Sequence, residues 1–285
     1  MKKFLLSIAA FTARVTSVRL KKAIYRYPWL SERIRNWLNK AAPQGLTEVS
    51  VAAGALQGAW LSLDMQSEKD YWLGTYEPEL QAAILDFVKP GMVAYDIGAN
   101  IGYISLQLGR VVGDEGHVYA FEALPENYER LLGNISRNGM DDCVTVLPLA
   151  VTDNPGEVTF LVGPSSGTGK VFGSSGRRAL HYKQEIKVEA ITLDGFIYDL
   201  GNPAPNVIKM DIEGGELLAV PGMSRVLSEA RPLVLIELHG YEAACLVWDE
   251  LQESGYQIYR MAPGYEHVSD FDDLDWKSYL VAKPG

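Results

Sequence analysis

Apolar and polar positions along the chain change period several times, and each change marks an element. From Leu46 to Asp64 short apolar groups alternate with glycines, which predicts small strands or a cover over the main body. In "YEPELQAAILDFV", Leu80, Ala83, Ile84, Phe87 and Val88 recur at helical spacing, with Pro78 placed for a first turn and Pro90-Gly91 as the stop. A strand–helix rhythm follows. "MVAYDIG", "HVYAFEA" and "VTVLPLAVT" read as strands, the first two leading into the helices "YISLQLGRVV" and "PENYERLLGNISRNG". Near-continuous apolar strands alternating with helices predict a parallel sheet covered on both faces. "GEVTFLVGPSSGTGKVFGSSGRR" breaks the rhythm with one strand and a Gly/Ser-rich loop. It resumes in "IKVEAITLDGFI", "NVIKMDIEGGELLAVPGM" and "RPLVLIELHGYEAACLVWDELQESG", and "YQIYRM" and "SYLVAK" close the chain as strands.

Charge divides the 285 residues. Residues 1–40 carry ten Lys and Arg against Glu32, so this end is +9 while the net charge is −10 and the remainder −19. An acidic body argues against a nucleic-acid partner. The apolar run after Lys2 and Lys3 is too short to span a bilayer and lacks a cleavage site. It reads as a basic amphipathic segment, interleaved with Tyr25, Tyr27, Trp29 and Trp37, for an anionic membrane surface or a partner. The expected organisation is a basic extension over 1–45, a cover and lead-in helix over 46–90, and the main domain over 91–285. Cys143 and Cys245 lack metal or disulfide spacing, read as small buried apolar residues, and fit a reducing, cytoplasmic setting, while the basic N-terminus suits a place at the inner membrane face.

The most informative stretch is "AYDIGANIGYISLQLG". Gly98 and Gly102 let backbone approach a ligand at the mouth of a buried strand. A dinucleotide fingerprint requires glycine where Asn100 and Tyr103 stand, so an NAD-linked oxidoreductase is the weaker alternative, and no P-loop follows. Asp96 can face an ammonium directly or through water, with backbone amides and Asn100 beside it. Glu122, at the end of the next strand, can accept both hydroxyls of a ribose. An amino acid joined to a nucleoside is S-adenosylmethionine.

The segments "VAYDIGANIGYISL", "VYAFEALPENYERLLGNI", "VLPLAVTDNPGEVTFLV", "ITLDGF", "VIKMDIEGGELLAVPGM" and "PLVLIELHG" resemble the FkbM-type S-adenosylmethionine-dependent methyltransferases over about Tyr71 to His239. The resemblance implies a class I, Rossmann-like α/β fold whose seven-stranded, mostly parallel sheet has an antiparallel last strand. It implies O-methylation of hydroxyls on sugars, glycolipids or related natural products. By the same resemblance Asp96, Gly98, Ala99, Asn100 and Gly102 hold the methionine portion, Glu122 and Ala123 the ribose side, and Ala150 and Val151 the adenine, while Glu77 in "GTYEPE" closes over the cofactor. Residues 1–65 and "SSGTGKVFGSSGRRALHYK" lie outside the recognisable motifs, and substrate choice is expected there.

An alcohol needs its proton accepted, or its oxygen bound to a metal, before it attacks a methyl group. The fourth and fifth strand ends offer Lys209, Asp211 and Glu213, then Glu237 and His239. They can make an acid–base set with His239 as base, or a divalent-ion site of Asp211, Glu237 and His239. Gly214 stands where catechol-type O-methyltransferases carry a lysine, which favours the acid–base set. Glu213 has a second reading, as acceptor of backbone amides at the next helix start. His117, His181 and His267 read as structural or solvated, with His181 beside Arg177, Arg178 and Lys183 the one placed to meet an anionic substrate. A catalytically degenerate membrane scaffold is the non-enzymatic alternative, weakened by the intact acids.

Overall fold

A computed structural model describes residues 42–163, 169–175, 182–275 and 277–285, together with Trp29 and Arg33. The basic segment predicted over 1–45 falls almost wholly outside the described residues, as do His181, Arg177 and Arg178. The chain forms two compact units, Met1–Pro78 and Glu79–Gly285. No helix among the described residues is long and apolar enough to cross a membrane.

In the first unit β1 (Leu46–Ser50) and β2 (Trp60–Asp64) pair antiparallel, Leu46 opposite Asp64, and α1 (Lys69–Leu73) follows. Leu61, Leu63 and Met65 are buried there. Helix α2 (Pro78–Phe87) begins at the predicted proline, belongs to the second unit from Glu79 onward, and buries Leu80, Ala83 and Ile84 along its apolar stripe.

The second unit carries β3 (Val93–Ile97), α3 (Tyr103–Val112), β4 (His117–Phe121), α4 (Pro125–Arg137) and β5 (Val144–Leu147). A side sheet comes next, of β6 (Ala150–Val151), β7 (Gly156–Val162), β8 (Lys170–Val171) and β9 (Gln184–Ile191). Then come β10 (Val207–Met210), α5 (Glu216–Ala219), β11 (Leu233–His239), α6 (Tyr241–Glu253), β12 (Tyr256–Arg260) and β13 (Lys277–Pro284). The main sheet has seven strands in the order β12-β13-β11-β10-β3-β4-β5. Strands β11, β10, β3, β4 and β5 run parallel, and β13 runs antiparallel to both β11 and β12. Every residue of β10 is buried, as a strand covered on both faces must be. This is the class I methyltransferase order, with its direction of winding reversing between β3 and β10. Ligands of open α/β sheets bind at such a switch point, beyond the carboxyl ends of the strands.

The stretch "VTVLPLAVT" is not one strand. Its first part ends at Leu147, whose carbonyl accepts the last ladder bond, from Glu122 N–H at 3.0 Å. Pro148 has no N–H to continue the ladder, and the chain leaves for the side sheet, where Ala150 and Val151 pair with Ala190 and Ile191. The Gly/Ser-rich region also supplies β8, paired with β7. Cys143 and Cys245 are free thiols and only half-buried, short of the burial expected of them. His117 is structural: its Nε2 lies 2.8 Å from Thr145 Oγ1.

Candidate active site

The turn after β3 is tied mainly to the end of β4. Gly98 and Ala99 N–H both donate to Phe121 O, at 3.0 and 2.9 Å, and Gly102 N–H donates to Ala99 O at 2.9 Å. Asn100 N–H donates to Glu122 Oε2 at 2.8 Å, so three of these amides fasten the turn to the end of β4. Gly98 has φ +75°, and a Cβ there would stand 2.1 Å from Asp211 O. Glycine is required because β10 ends directly against the turn. Asn100 has φ +49°, a left-handed conformation that asparagine tolerates better than most residues, which accounts for its place where other nucleotide folds use glycine.

Asp96 does not open to a ligand. Its side chain is fully buried; Oδ1 lies 3.0 Å from Lys209 Nζ and Oδ2 accepts from Ser105 Oγ at 2.6 Å. Lys209 stands directly beside Asp96 in the sheet register and also donates to Gly98 O at 2.9 Å. Of the two contacts read from the sequence, direct or through water, the direct one is taken by a buried ion pair with Lys209 that braces the turn, and Lys209 is itself engaged in that bracing.

Glu122 is also buried, with Oε1 accepting from Leu124 N–H at 2.9 Å and Oε2 from Asn100. The Asn127 side chain adds a third hydrogen bond, so Glu122 keeps acceptor capacity for about one ribose hydroxyl beside the two amides. Burial pushes its carboxyl up to about 7, against the lowering effect of those two amides. The ionised form is the better hydroxyl acceptor, so cofactor affinity is expected to rise by about tenfold between pH 6 and pH 8. Calorimetric titration with S-adenosylhomocysteine at the two pH values measures this, and Glu122→Gln should flatten the dependence. A flat profile in the unaltered protein would remove Glu122 from the binding role.

At the ends of β10 and β11 four carboxylates surround one imidazole. His239 Nε2 lies 3.0 Å from Glu237 Oε1 and 4.0 Å from both Asp211 Oδ1 and Glu213 Oε2, while Nδ1 lies 3.4 Å from Glu216 Oε1. Glu237, His239 and Glu216 are buried; Asp211 and Glu213 keep about a fifth of their side-chain surface open. Burial opposes charging His239, but Glu216 and Glu237 outweigh it and lift its pKa to about 10. His239 is thus an imidazolium near neutrality, which works against its expected role as a neutral base. Burial likewise acts to raise Glu237, yet hydrogen bonds from His239 and Lys277 hold it below the usual carboxylate range.

Asp211, Glu237 and His239 each present a ligand atom within 4.8 Å of the others, the geometry foreseen for a divalent ion. The fit is poor: Lys277 Nζ is already paired with Glu237 Oε1, and a metal would have to displace that ammonium together with the imidazole proton.

Three partners of this cluster escape the sequence reading. Glu216 accepts Ile212 N–H at 3.2 Å, the amide-capping role assigned above to Glu213, and "DIEGGE" carries its only signal. Lys277 reaches Glu237 because β13 runs antiparallel beside β11, with Lys277 opposite His239. Ser175, from the Gly/Ser-rich region, donates to His239 O at 2.8 Å and Gly214 O at 3.3 Å, so part of that region sits at the ends of β10 and β11. Ala123 is half-buried beside Glu122, whereas Ala150 and Val151 are buried in the side sheet instead of ending the third strand. Glu77 belongs to the first unit and has φ +38°.

Comparison with known proteins agrees with this architecture. Residues 96–258, more than half of the chain, match the methyltransferase FkbM domain model. The hexuronic acid methyltransferase AglP of Haloferax volcanii is 24% identical over 224 residues, covering 78% of this chain and 79% of its own. A protein-L-isoaspartate O-methyltransferase of Hyperthermus butylicus is 37% identical over 79 residues, 25% of this chain and 33% of its own. Among solved structures, methyltransferase FkbM from Methylobacillus flagellatus superposes with a TM-score of 0.44 at 21% identity, over 78% of this chain and 56% of that one. The chain belongs to the FkbM methyltransferase family, and it is an S-adenosylmethionine-dependent methyltransferase.

Proposed function

We propose that the protein methylates a hydroxyl of a glycan or glycolipid sugar, with Asp211 as the proton acceptor. The observation that carries this reading is the position of Asp211. Its main chain closes on the cofactor turn, with Asp211 N–H donating to Ile97 O at 3.2 Å, while its side chain opens toward the His239 cluster. One residue thus joins the nucleoside-binding turn to the acid–base group. The hexuronic acid methyltransferase among the relatives supports a sugar acceptor.

S-adenosylmethionine, when bound, supplies a methyl group whose bond to the sulfonium sulfur breaks as the acceptor oxygen forms its new bond, the electron pair passing to sulfur. The chain's contribution is alignment and charge. Asp96, Lys209 and the amide-satisfied turn fix the floor between β3 and β10. Asp211 takes the hydroxyl proton, leaving a neutral ether. The His239 imidazolium, tied to Glu216 and Glu237, offsets the negative charge of its neighbours.

Incubation with methyl-labelled S-adenosylmethionine and glycolipid or oligosaccharide extracts tests the proposal. Label is expected on saccharide in an alkali-stable ether. Alkali-labile label would identify a carboxyl ester instead, and label on protein alone would remove the glycan reading.

A further inference from the structure

Beside the reactive strand ends lies an aromatic surface that the methyl-transfer machinery does not use. Tyr241 opens α6 only two residues after His239, so its Cα lies within about 7 Å of the histidine's. It is 70% exposed. Its ring meets Phe271 edge-on at 5.6 Å between centroids, and Phe271 meets Trp248 at 6.1 Å. Phe271 begins a short turn, Phe271–Asp273, in the connection between β12 and β13. Because β13 starts with Lys277 opposite His239, this turn opens at the same edge of the sheet as the reactive carboxylates.

The turn is held in place. Asp270 Oδ1 accepts from Asp272 N–H at 3.0 Å, and the Arg260 guanidinium donates to the Asp273 carbonyl. The Tyr241 hydroxyl is engaged with Cys245 and lies in the field of Asp272, both of which keep it protonated. The neighbouring chain is rich in acceptors. Asp270, Asp272, Asp273 and Asp275 fall within six residues of chain. Across the edge, Asp211, Glu213, Glu216 and Glu237 converge on His239, and Lys277 is spent on Glu237.

An aromatic face beside carboxylates suits a ligand with an apolar C–H face and many hydroxyl donors, which is an uncharged pyranose ring. An anionic sugar on that ring meets Asp272, whose charge already acts on Tyr241, as a like charge. We infer that Tyr241, backed by Phe271 and Trp248, is the acceptor subsite, and that it takes a neutral hexopyranose ring in preference to a uronic acid. The inference rests on the glycan reading above and narrows it. It also separates this chain from the hexuronic acid specificity in the name of its Haloferax volcanii relative.

Saturation-transfer NMR on the full chain with S-adenosylhomocysteine, using methyl β-D-glucopyranoside and methyl β-D-glucuronopyranoside as probes, tests it. The neutral glycoside should bind at least about tenfold more tightly, with saturation strongest on its ring C–H protons. Tyr241→Ala should weaken its binding by about tenfold, the size of one aromatic contact, and Tyr241→Phe should retain it. Since Tyr241 is exposed, the melting temperature of both variants should stay near that of the parent. Equal or tighter glucuronide binding overturns the charge preference. Unchanged glucoside affinity in Tyr241→Ala overturns the subsite and leaves the glycan reading intact. If neither sugar binds while S-adenosylhomocysteine does, the subsite and the glycan reading fall together.

Discussion

Replacing Lys209 by methionine should cost about 3–5 kcal/mol of stability, because it strands an anion in the interior. The side chains of Lys209 and Asp96 are 5% and 0% exposed, with Nζ and Oδ1 3.0 Å apart. Methionine matches the length of the stem but leaves Asp96 only the Ser105 hydroxyl, and it takes from Gly98 O a donor at 2.9 Å. For a chain of this size the loss corresponds to a fall in Tm of roughly 6–20 °C by calorimetry or thermal shift. The double variant Lys209→Met with Asp96→Asn should recover much of it, since removing both charges also removes their desolvation cost. S-adenosylhomocysteine affinity should fall in the single variant as the turn loses its brace. If Lys209→Met melts with the parent, the pair is not buried as described and Lys209 returns to the list of reactive groups.

That pair shows where sequence reading succeeds and where it stops. Asp96, Glu122, Asp211, Glu237 and His239 could all be placed at strand ends, because buried parallel strands announce themselves as apolar runs and a polar residue at the exit is conspicuous. The sheet order makes those exits neighbours around one switch point. What one strand's pattern cannot supply is its register with the next. Lys209 reads as facing the site until its alignment with Asp96 turns it into an internal counterion. Lys277 carries no signal at all, since only an antiparallel β13 brings it to Glu237. The break at Pro148 was legible in principle, as a proline inside an apparent strand argues against one continuous strand. The apolar residues on either side of it hide the break, because they feed two different sheets. The buried acceptor of the Ile212 amide is Glu216 for a local reason: Glu213 takes a left-handed φ of +53° in the turn, and Glu216 is the next acid along the chain.

Conversion of Asp211 to asparagine should lower kcat by about 10²–10⁴-fold, the usual worth of a positioned proton acceptor, while leaving S-adenosylhomocysteine affinity within about twofold. The two readouts part because the residue touches the site in two ways. Its main chain, which closes on the Gly98 turn, is unchanged by the substitution. Its side chain, 4.0 Å from His239 Nε2 and partly open, loses the charge that takes the proton. Asparagine keeps the shape, so misfolding does not explain a loss of turnover. Glu213→Gln is the control, because Glu213 lies at the same 4.0 Å from His239 Nε2 with similar exposure. If the proton passes to Asp211, Glu213→Gln should cost no more than about tenfold, an effect of altered charge around His239 alone. Single-turnover measurements with saturating cofactor isolate the transfer step from product release. A mild Asp211→Asn beside a crippled Glu213→Gln would move the proton acceptor to Glu213. A mild effect in both would mean that proton loss follows methyl transfer, leaving alignment alone to account for the rate.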